Sequence, residues 1–321
     1  MTTVVGFVGL GNIGKPMALR LASQQQAADL DVWVYDVAPE PLEEARAAGA
    51  GVAAGVAAMA ARSDVLCVMV RDDEQVREVL GEVLGVAGDR LTVLIHSTVA
   101  PSTPGELADT AATHGVTVLD APVSGGAMGA ADGSLALMVG GTAAGFAAAA
   151  PVLNVLGSKV VHAGPVGAGT RFKLARNMLH FISFTAATEA QRLAEAAGLD
   201  LRDLGDVVRH TDAITGGAGA IMHRDTTAPL DPDDFWYGVF DNVTSLGLKD
   251  LGFALELAEG LGVEVPLAEL AVERLGPGLG LPQPAADAAA EAPDDHSADH
   301  SADHSDSDTH HHHGPADEEH G

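Results

Sequence analysis

The sequence predicts an α/β chain in three parts: a doubly wound sheet domain over residues 1–165, an all-helical domain over 166–281, and a disordered Asp/His-rich tail over 282–321. Three observations carry that division. Up to about residue 163, short β-rich runs alternate with helical stretches, the mark of βαβ units. After Val166 the strand signal stops and helical periodicity continues alone. Beyond Pro293 there is almost no apolar residue to bury, so the end of the chain cannot pack a core.

Taken in order, the expected strands are Thr3–Val8, Val32–Asp36, Val65–Val70, Thr92–His96, Val116–Leu119, Leu135–Val139 and Val160–His162. They are nearly all apolar, as strands covered by helices on both faces must be. Between them Pro39–Ala48, Asp72–Leu84 and Pro101–His114 are rich in Ala, Glu and Leu and read as helices. Thr170–Ala197 reads as one long helix stopped by Gly198. Leu201–Arg209, Leu246–Gly260 and Pro266–Leu275 continue the helical pattern. Thr211–Asp234 is a Gly/Thr/Asp/Pro-rich loop, long enough to be functional.

The formal charge of −28 is unevenly spread, because Pro282–Gly321 is acidic and holds no Lys or Arg. The remainder is acidic too, which argues against nucleic-acid or anionic-membrane partners, since both need a basic face. No apolar run reaches about 18 residues, so no membrane span is expected. Met1–Phe7 lacks a basic n-region and does not read as a signal peptide. The one cysteine, Cys67, lies in an apolar run and reads as core, which fits a reducing, cytoplasmic setting. His96, His114, His162, His180, His210 and His223 show no metal-ligand spacing, so they read as structural and no catalytic metal is expected. The tail holds the other eight of the 14 histidines, in Asp-His-Ser repeats, in His310–His313 and at His320. Weak binding of a divalent metal ion and a purely solubilising role are equal readings of it.

The first motif with chemistry in it is Gly9-Leu10-Gly11-Asn12-Ile13-Gly14. It follows the first strand and opens a helix, and Asp36 ends the second strand about 20 residues further on, which is the Rossmann-type dinucleotide fingerprint. Gly9 serves the tight turn, Gly11 the approach of a pyrophosphate, and Gly14 the close packing of helix on strand. The free N–H groups of the helix start would face the phosphates. Asp36 would accept from the ribose hydroxyls and repel a 2′-phosphate, favouring NAD over NADP. Arg71 pulls the other way and ranks below Asp36, which ends the strand that meets the ribose.

Phe7–Ala18 as a whole resembles the amino-terminal signature of the β-hydroxyacid dehydrogenases, the family of 3-hydroxyisobutyrate dehydrogenase and tartronate semialdehyde reductase. Ile13 and Arg20 depart from it, standing where the family has Met and Asn. Four further blocks resemble the family in the same order, so the likeness spans about residues 3–275. Ser97–Pro101 is similar to its cofactor-contacting turn. Asp120–Gly126, with Gly129-Ala130 and Gly133–Leu135, is similar to its substrate-binding block. Gly167–Asn177 is similar to its catalytic helix, and Lys249–Leu251 to its late cofactor-side motif.

The resemblance implies a nicotinamide-dependent enzyme that oxidises a small 3-hydroxy acid, or reduces the matching semialdehyde. It assigns Lys173 as general acid/base with Asn177 beside it, and Ser124, Gly125 and Gly126 to the substrate carboxylate. It assigns Gly9, Leu10, Gly11, Asn12, Ile13, Gly14, Asp36, Val70, Arg71, Gln75, Thr98 and Lys249 to the cofactor. It also implies a homodimer or homotetramer built through the long helix and second domain. Arg176 stands where the family has Asn, and could meet a second anionic group on the substrate or pair with an acid of its own domain.

The residues support these roles to different degrees. Ser124-Gly125-Gly126 offers a hydroxyl and unobstructed N–H groups suited to a carboxylate, though alone it reads equally as a glycine-rich loop. Lys173 and Asn177, at i and i+4, share a helix face. A lysine of lowered pKa can take the hydroxyl proton, and an amide one turn away can orient that hydroxyl. Without its context Lys173 would read as a solvated surface charge. Gly167 and Gly169 read as points where backbone could approach the cofactor. Two other readings remain: an imine-reductase-like relative, which Lys173 argues against, and a non-catalytic dinucleotide-binding protein with a metal-binding tail. Intact Lys173, Asn177 and Ser124 weigh against the latter.

Overall fold

A computed structural model describes residues 2–86 and 90–282. The chain begins β1 (Thr3–Val8), α1 (Gly14–Ser23), α2 (Gln25–Ala28), β2 (Leu30–Tyr35), α3 (Glu40–Ala47), β3 (Gly51–Val52), α4 (Val56–Ala60) and β4 (Val65–Val68). It continues α5 (Asp73–Leu84), β5 (Thr92–Ile95), α6 (Thr103–Ala112), β6 (Thr117–Asp120), β7 (Val123–Ser124), α7 (Gly126–Asp132), β8 (Leu135–Gly140), α8 (Ala143–Leu156) and β9 (Gly157–Gly164). From there it is helical: α9 (Ala168–Ala196), α10 (Leu201–Thr215), a short 3₁₀ turn (Gly217–Gly219), α11 (Phe235–Leu261) and α12 (Pro266–Gly278).

The strands form one sheet in the order β3-β2-β1-β4-β5-β6-β8-β7, with β9 paired to β8. The first six are parallel, while β8 runs antiparallel to β6 and β7. This is the Rossmann-type sheet followed by helices that the motif order predicts. Strand order reverses between β1 and β4, so their carboxyl ends splay into a crevice. Alternate side chains of each central strand feed two cores. Phe7, Val34 and Cys67 join Met17 and Leu21 of α1 and Leu153 of α8, and Leu66, Val68 and Ile95 join Met59 of α4 and Leu80 of α5. Cys67 is fully buried, and burial pushes its thiol pKa up, so it is core as expected.

Several elements depart from expectation. α8 is alanine-rich, apolar round most of its circumference and interrupted by Pro151, so it carries no period to read. α10 runs on to Thr215, ending at Gly216 with φ +90°. α11 begins at Phe235, well before Leu246, since the aromatic run Phe235–Tyr237 gives little helical signal while Phe240 is needed for packing. Gly198 closes α9 from the residue after the cap, at φ +75°, with Leu199 N–H bonded to the Ala194 carbonyl.

Packing groups the residues into two compact units. One comprises the sheet, α9 and α10, up to residue 220, with residues 261–264; the other, among the described residues, comprises 221–260 and 265–282. The second unit closes on Leu230, Phe240, Leu279 and Leu281. No helix among the described residues is long and apolar enough to cross a membrane. The Asp/His-rich segment, with the disorder and metal binding expected of it, lies outside the described residues apart from Pro282.

Candidate active site

Gly9 follows β1 at φ +91°, and the chain turns there hard against the Met69 carbonyl. A Cβ on Gly14 would run into the Gly9 carbonyl oxygen, so α1 can start this close to β1 only with glycine there. Gly11 is the opposite case. Nothing lies within 4 Å of where its Cβ would stand, and it borders an open cleft of ≈ 490 Å³. Asn12, Ile13, Asp36, Val70, Arg71 and Gln75 line the same cleft, and no side chain caps α1. An uncapped helix start beside open glycine backbone, with a carboxylate beyond it, fits the pyrophosphate and ribose of a dinucleotide.

The acid is held in place by backbone. One Asp36 oxygen accepts from Leu10 N–H and the other from Ala38 N–H at 2.8 Å. Leu10 contributes only that N–H, because its side chain is buried in the core. Val37 beside it is exposed and uncharged. Arg71 is tied to Asp72 at 3.0 Å, and its N–H donates to Gln75 Oε1. Asp72 also caps α5 by accepting from Gln75 N–H, which, with Arg71, holds its carboxyl below the usual range.

A second cavity of ≈ 420 Å³ shares Ile13 and Met69 with the first. Its walls bring Thr98, Ser124, Gly125, Gly126, Lys173, Arg176 and Asn177 together. Lys173 is 8% exposed, and its Nζ donates to Ser124 Oγ at 2.8 Å and to the Val123 carbonyl. Burial, then the charge of Arg176, pushes the amine pKa down to about 8. Arg176 Nη1 reaches Asn177 Oδ1 at 3.4 Å, a weak bond.

The helix that carries these groups is seated by a residue outside the cavity lining. Asp120, fully buried at the end of β6, accepts from Gly167 N–H and Thr170 N–H, both at 2.6 Å. A carboxylate there meets both the free N–H groups and the positive end of α9. A Cβ on Gly169 would run into the Met138 carbonyl, so the first turn of α9 lies against β8. This corrects the expectation for Gly167 and Gly169. Both serve the seating of the helix on the sheet, and neither lines the two cavities.

His96, read from sequence as structural only, borders the second cavity as well. It is 1% exposed, its Nδ1 bonds the Ala121 carbonyl at 2.8 Å, and Nε2 has no partner. Burial brings its pKa down to about 4, so the ring is neutral and Nδ1 carries the proton. His180 and Phe181, one turn beyond Asn177, extend the wall. Their i+3 and i+4 spacing from Asn177 was the available signal. Arg20 lies away from both cavities, packed over Gly133 and reaching toward the Val155 carbonyl. Lys249 belongs to the second unit, where it pairs with Asp250 at 3.2 Å.

Comparison with known proteins agrees with this arrangement. The NAD binding domain family of 6-phosphogluconate dehydrogenase matches residues 4–164. The family described as NAD-binding of NADP-dependent 3-hydroxyisobutyrate dehydrogenase matches residues 167–298. The chain is 46% identical over 293 residues to an uncharacterized oxidoreductase of Mycobacterium tuberculosis, covering 90% of this chain and 98% of that one. It is 35% identical to the mitochondrial 3-hydroxyisobutyrate dehydrogenase of Mus musculus, covering 84% and 80%. A crystal structure of an oxidoreductase from Mycobacterium avium 104 superposes with TM-score 0.83 at 49% identity, covering 87% of this chain and 99% of that one. The chain belongs to the β-hydroxyacid dehydrogenases, as a 3-hydroxyisobutyrate dehydrogenase-like oxidoreductase with a nicotinamide-dinucleotide-binding domain.

Proposed function

We propose that the protein is an NAD-dependent dehydrogenase interconverting a small 3-hydroxy acid and its semialdehyde, with Lys173 as the proton acceptor and donor. The observation that carries this reading is the buried Lys173 amine, bonded to Ser124 in a cavity that shares two wall residues with the cofactor cleft. Bound nicotinamide supplies the hydride acceptor, or in reverse the donor. The protein's part is to place the alcohol and move its proton. Ser124 Oγ with the N–H groups of Gly125 and Gly126 receives the carboxylate, and Asn177 holds the hydroxyl. Neutral Lys173 takes the hydroxyl proton during oxidation, and the ammonium returns it to the carbonyl oxygen during reduction.

NAD is favoured over NADP by Asp36 and by the absence of a cation at position 37, with Gly9, Gly11, Gly14, Val70, Arg71, Gln75 and Thr98 completing the cofactor contacts. The exposed apolar side chains of α9, such as Met178 at 63% and Ile182 at 53%, support a homodimer or homotetramer. A cytoplasmic setting accords with the reduced, buried Cys67.

The test is NADH formation with a panel of 3-hydroxy acids, repeated on Lys173→Ala. Turnover by the native chain and a loss of roughly a hundredfold to ten-thousandfold in kcat, with NADH binding retained by fluorescence, is the expected result. Near-full kcat in the variant would remove Lys173 from the chemistry.

A further inference from the structure

Of the two cationic side chains lining the second cavity, Arg176 is the one to which this reading gives no task. Among the charged side chains lining the second cavity there are two cations, Lys173 and Arg176, and no carboxylate. Arg176 is exposed, and its hydrogen bond on the described residues is the long one to Asn177 Oδ1. It forms no ion pair with a described carboxylate. The arginines bordering the cofactor cleft and on α5 are engaged, Arg71 with Asp72 and Arg77 with Glu106. An unpaired guanidinium beside a lysine that alternates between amine and ammonium is a permanent positive charge open to an anion.

Its position separates that anion from the substrate carboxylate. Lys173 donates to Ser124, and one turn further along α9 Arg176 donates to Asn177. An alcohol carbon held between Lys173 and Asn177 therefore has the Ser124 corner on one flank and the guanidinium on the other. We infer that the substrate is dianionic: a 3-hydroxy acid, or its semialdehyde, whose second carbon bears an additional anionic arm received by Arg176. A carboxylate, sulfonate or phosphonate arm would meet the same fork of donors, the carboxylate and phosphonate in a bidentate manner. This inference rests on the proposed 3-hydroxy acid chemistry.

A matched pair separates the second charge from everything else: 3-hydroxyisobutyrate, and 2-(hydroxymethyl)succinate, in which a carboxymethyl arm replaces the methyl. The native enzyme is expected to favour the dianion in kcat/KM by about tenfold or more, the value of one charge-assisted contact. Arg176→Gln should bring that ratio to about one, and Arg176→Lys should restore part of it. The ratio is the readout because a change in Lys173 basicity moves both substrates together. A native ratio of one or less, or a ratio unaltered in Arg176→Gln, overturns the inference. So does an equal loss on both acids, which would place the single carboxylate on Arg176.

Calorimetry on the NAD-saturated enzyme makes the outcome independent of turnover. The unreactive analogues isobutyrate and methylsuccinate differ by the same arm. Tighter methylsuccinate binding that Arg176→Gln abolishes upholds the dianion site even if neither alcohol is oxidised, which would defeat only the hydride-transfer reading. Equal binding of the two analogues defeats the dianion site even if 3-hydroxyisobutyrate turns over.

Discussion

Lys173 shows how a surface-type residue acquires the lowered basicity that the proposed proton transfer calls for. Withdrawn from water and placed near Arg176, its amine titrates at about 8 rather than in the usual lysine range. The sign of the pH dependence follows from which form works. Oxidation needs the neutral amine, so kcat/KM for the alcohol should rise as pH increases through about 8 and level off above it. Reduction needs the ammonium, so kcat/KM for the semialdehyde should be level below about 8 and fall above it. Profiles taken in both directions check this, and parallel slopes would contradict the assignment. At the other end of the site, Asp36 is fixed by Leu10 and Ala38 N–H groups, so it cannot swing away from a 2′-phosphate. Efficiency with NAD should exceed that with NADP by roughly tenfold or more, and Asp36→Ala should narrow the gap. Equal native efficiencies would shift the decision to Arg71. The glycine fingerprint and Asp36 were legible in the sequence because local turn chemistry dictates them. The neutral state of His96 was not, since it depends on burial beside Ala121, the residue that follows the neighbouring strand β6.

At the scale of elements, α9, the helix that carries Lys173, is seated on one buried acid. Asp120 joins β6 to the start of α9 through two short N–H bonds, and Lys173 sits one turn further along. Asp120→Ala would strand both N–H groups away from water, at a cost of about 2–4 kcal/mol. Asp120→Asn should cost less, because the amide oxygen can still accept one bond. Denaturant melts measure the stability, and kcat should fall in Asp120→Ala as Lys173 loses its position. An unchanged melting midpoint would show that α9 is seated by packing alone. The sequence placed Asp120 within a substrate-binding block by likeness. The partnership with Gly167 and Thr170 spans some 50 residues of chain, and no local pattern encodes it. The glycines of α9 have the same explanation. Their spacing is visible in sequence, but the β8 backbone that requires Gly169 is brought there by the fold.

For the whole molecule, the single chain leaves Phe172, Met178, Ile182 and Phe184 of α9 exposed, along a helix whose polar groups are few at those positions. Apolar surface of that kind is covered by association in stable soluble proteins. Sedimentation should therefore give a dimer or tetramer, and Ile182→Glu should shift it toward monomer. A native monomer at micromolar concentration would refute this. The sequence by itself determined the class of fold and the β1–α1 dinucleotide turn, and its likeness to the family singled out the helix of Lys173 and Asn177. The first two rest on contacts within a few residues, strand alternation with helix and glycine spacing. Only the tertiary structure decided how basic Lys173 is, that Asp120 anchors its helix, and that Arg176 faces the cavity without an acid. Basicity, anchoring and ion pairing are set by burial and by neighbours distant in sequence, which no local spacing records.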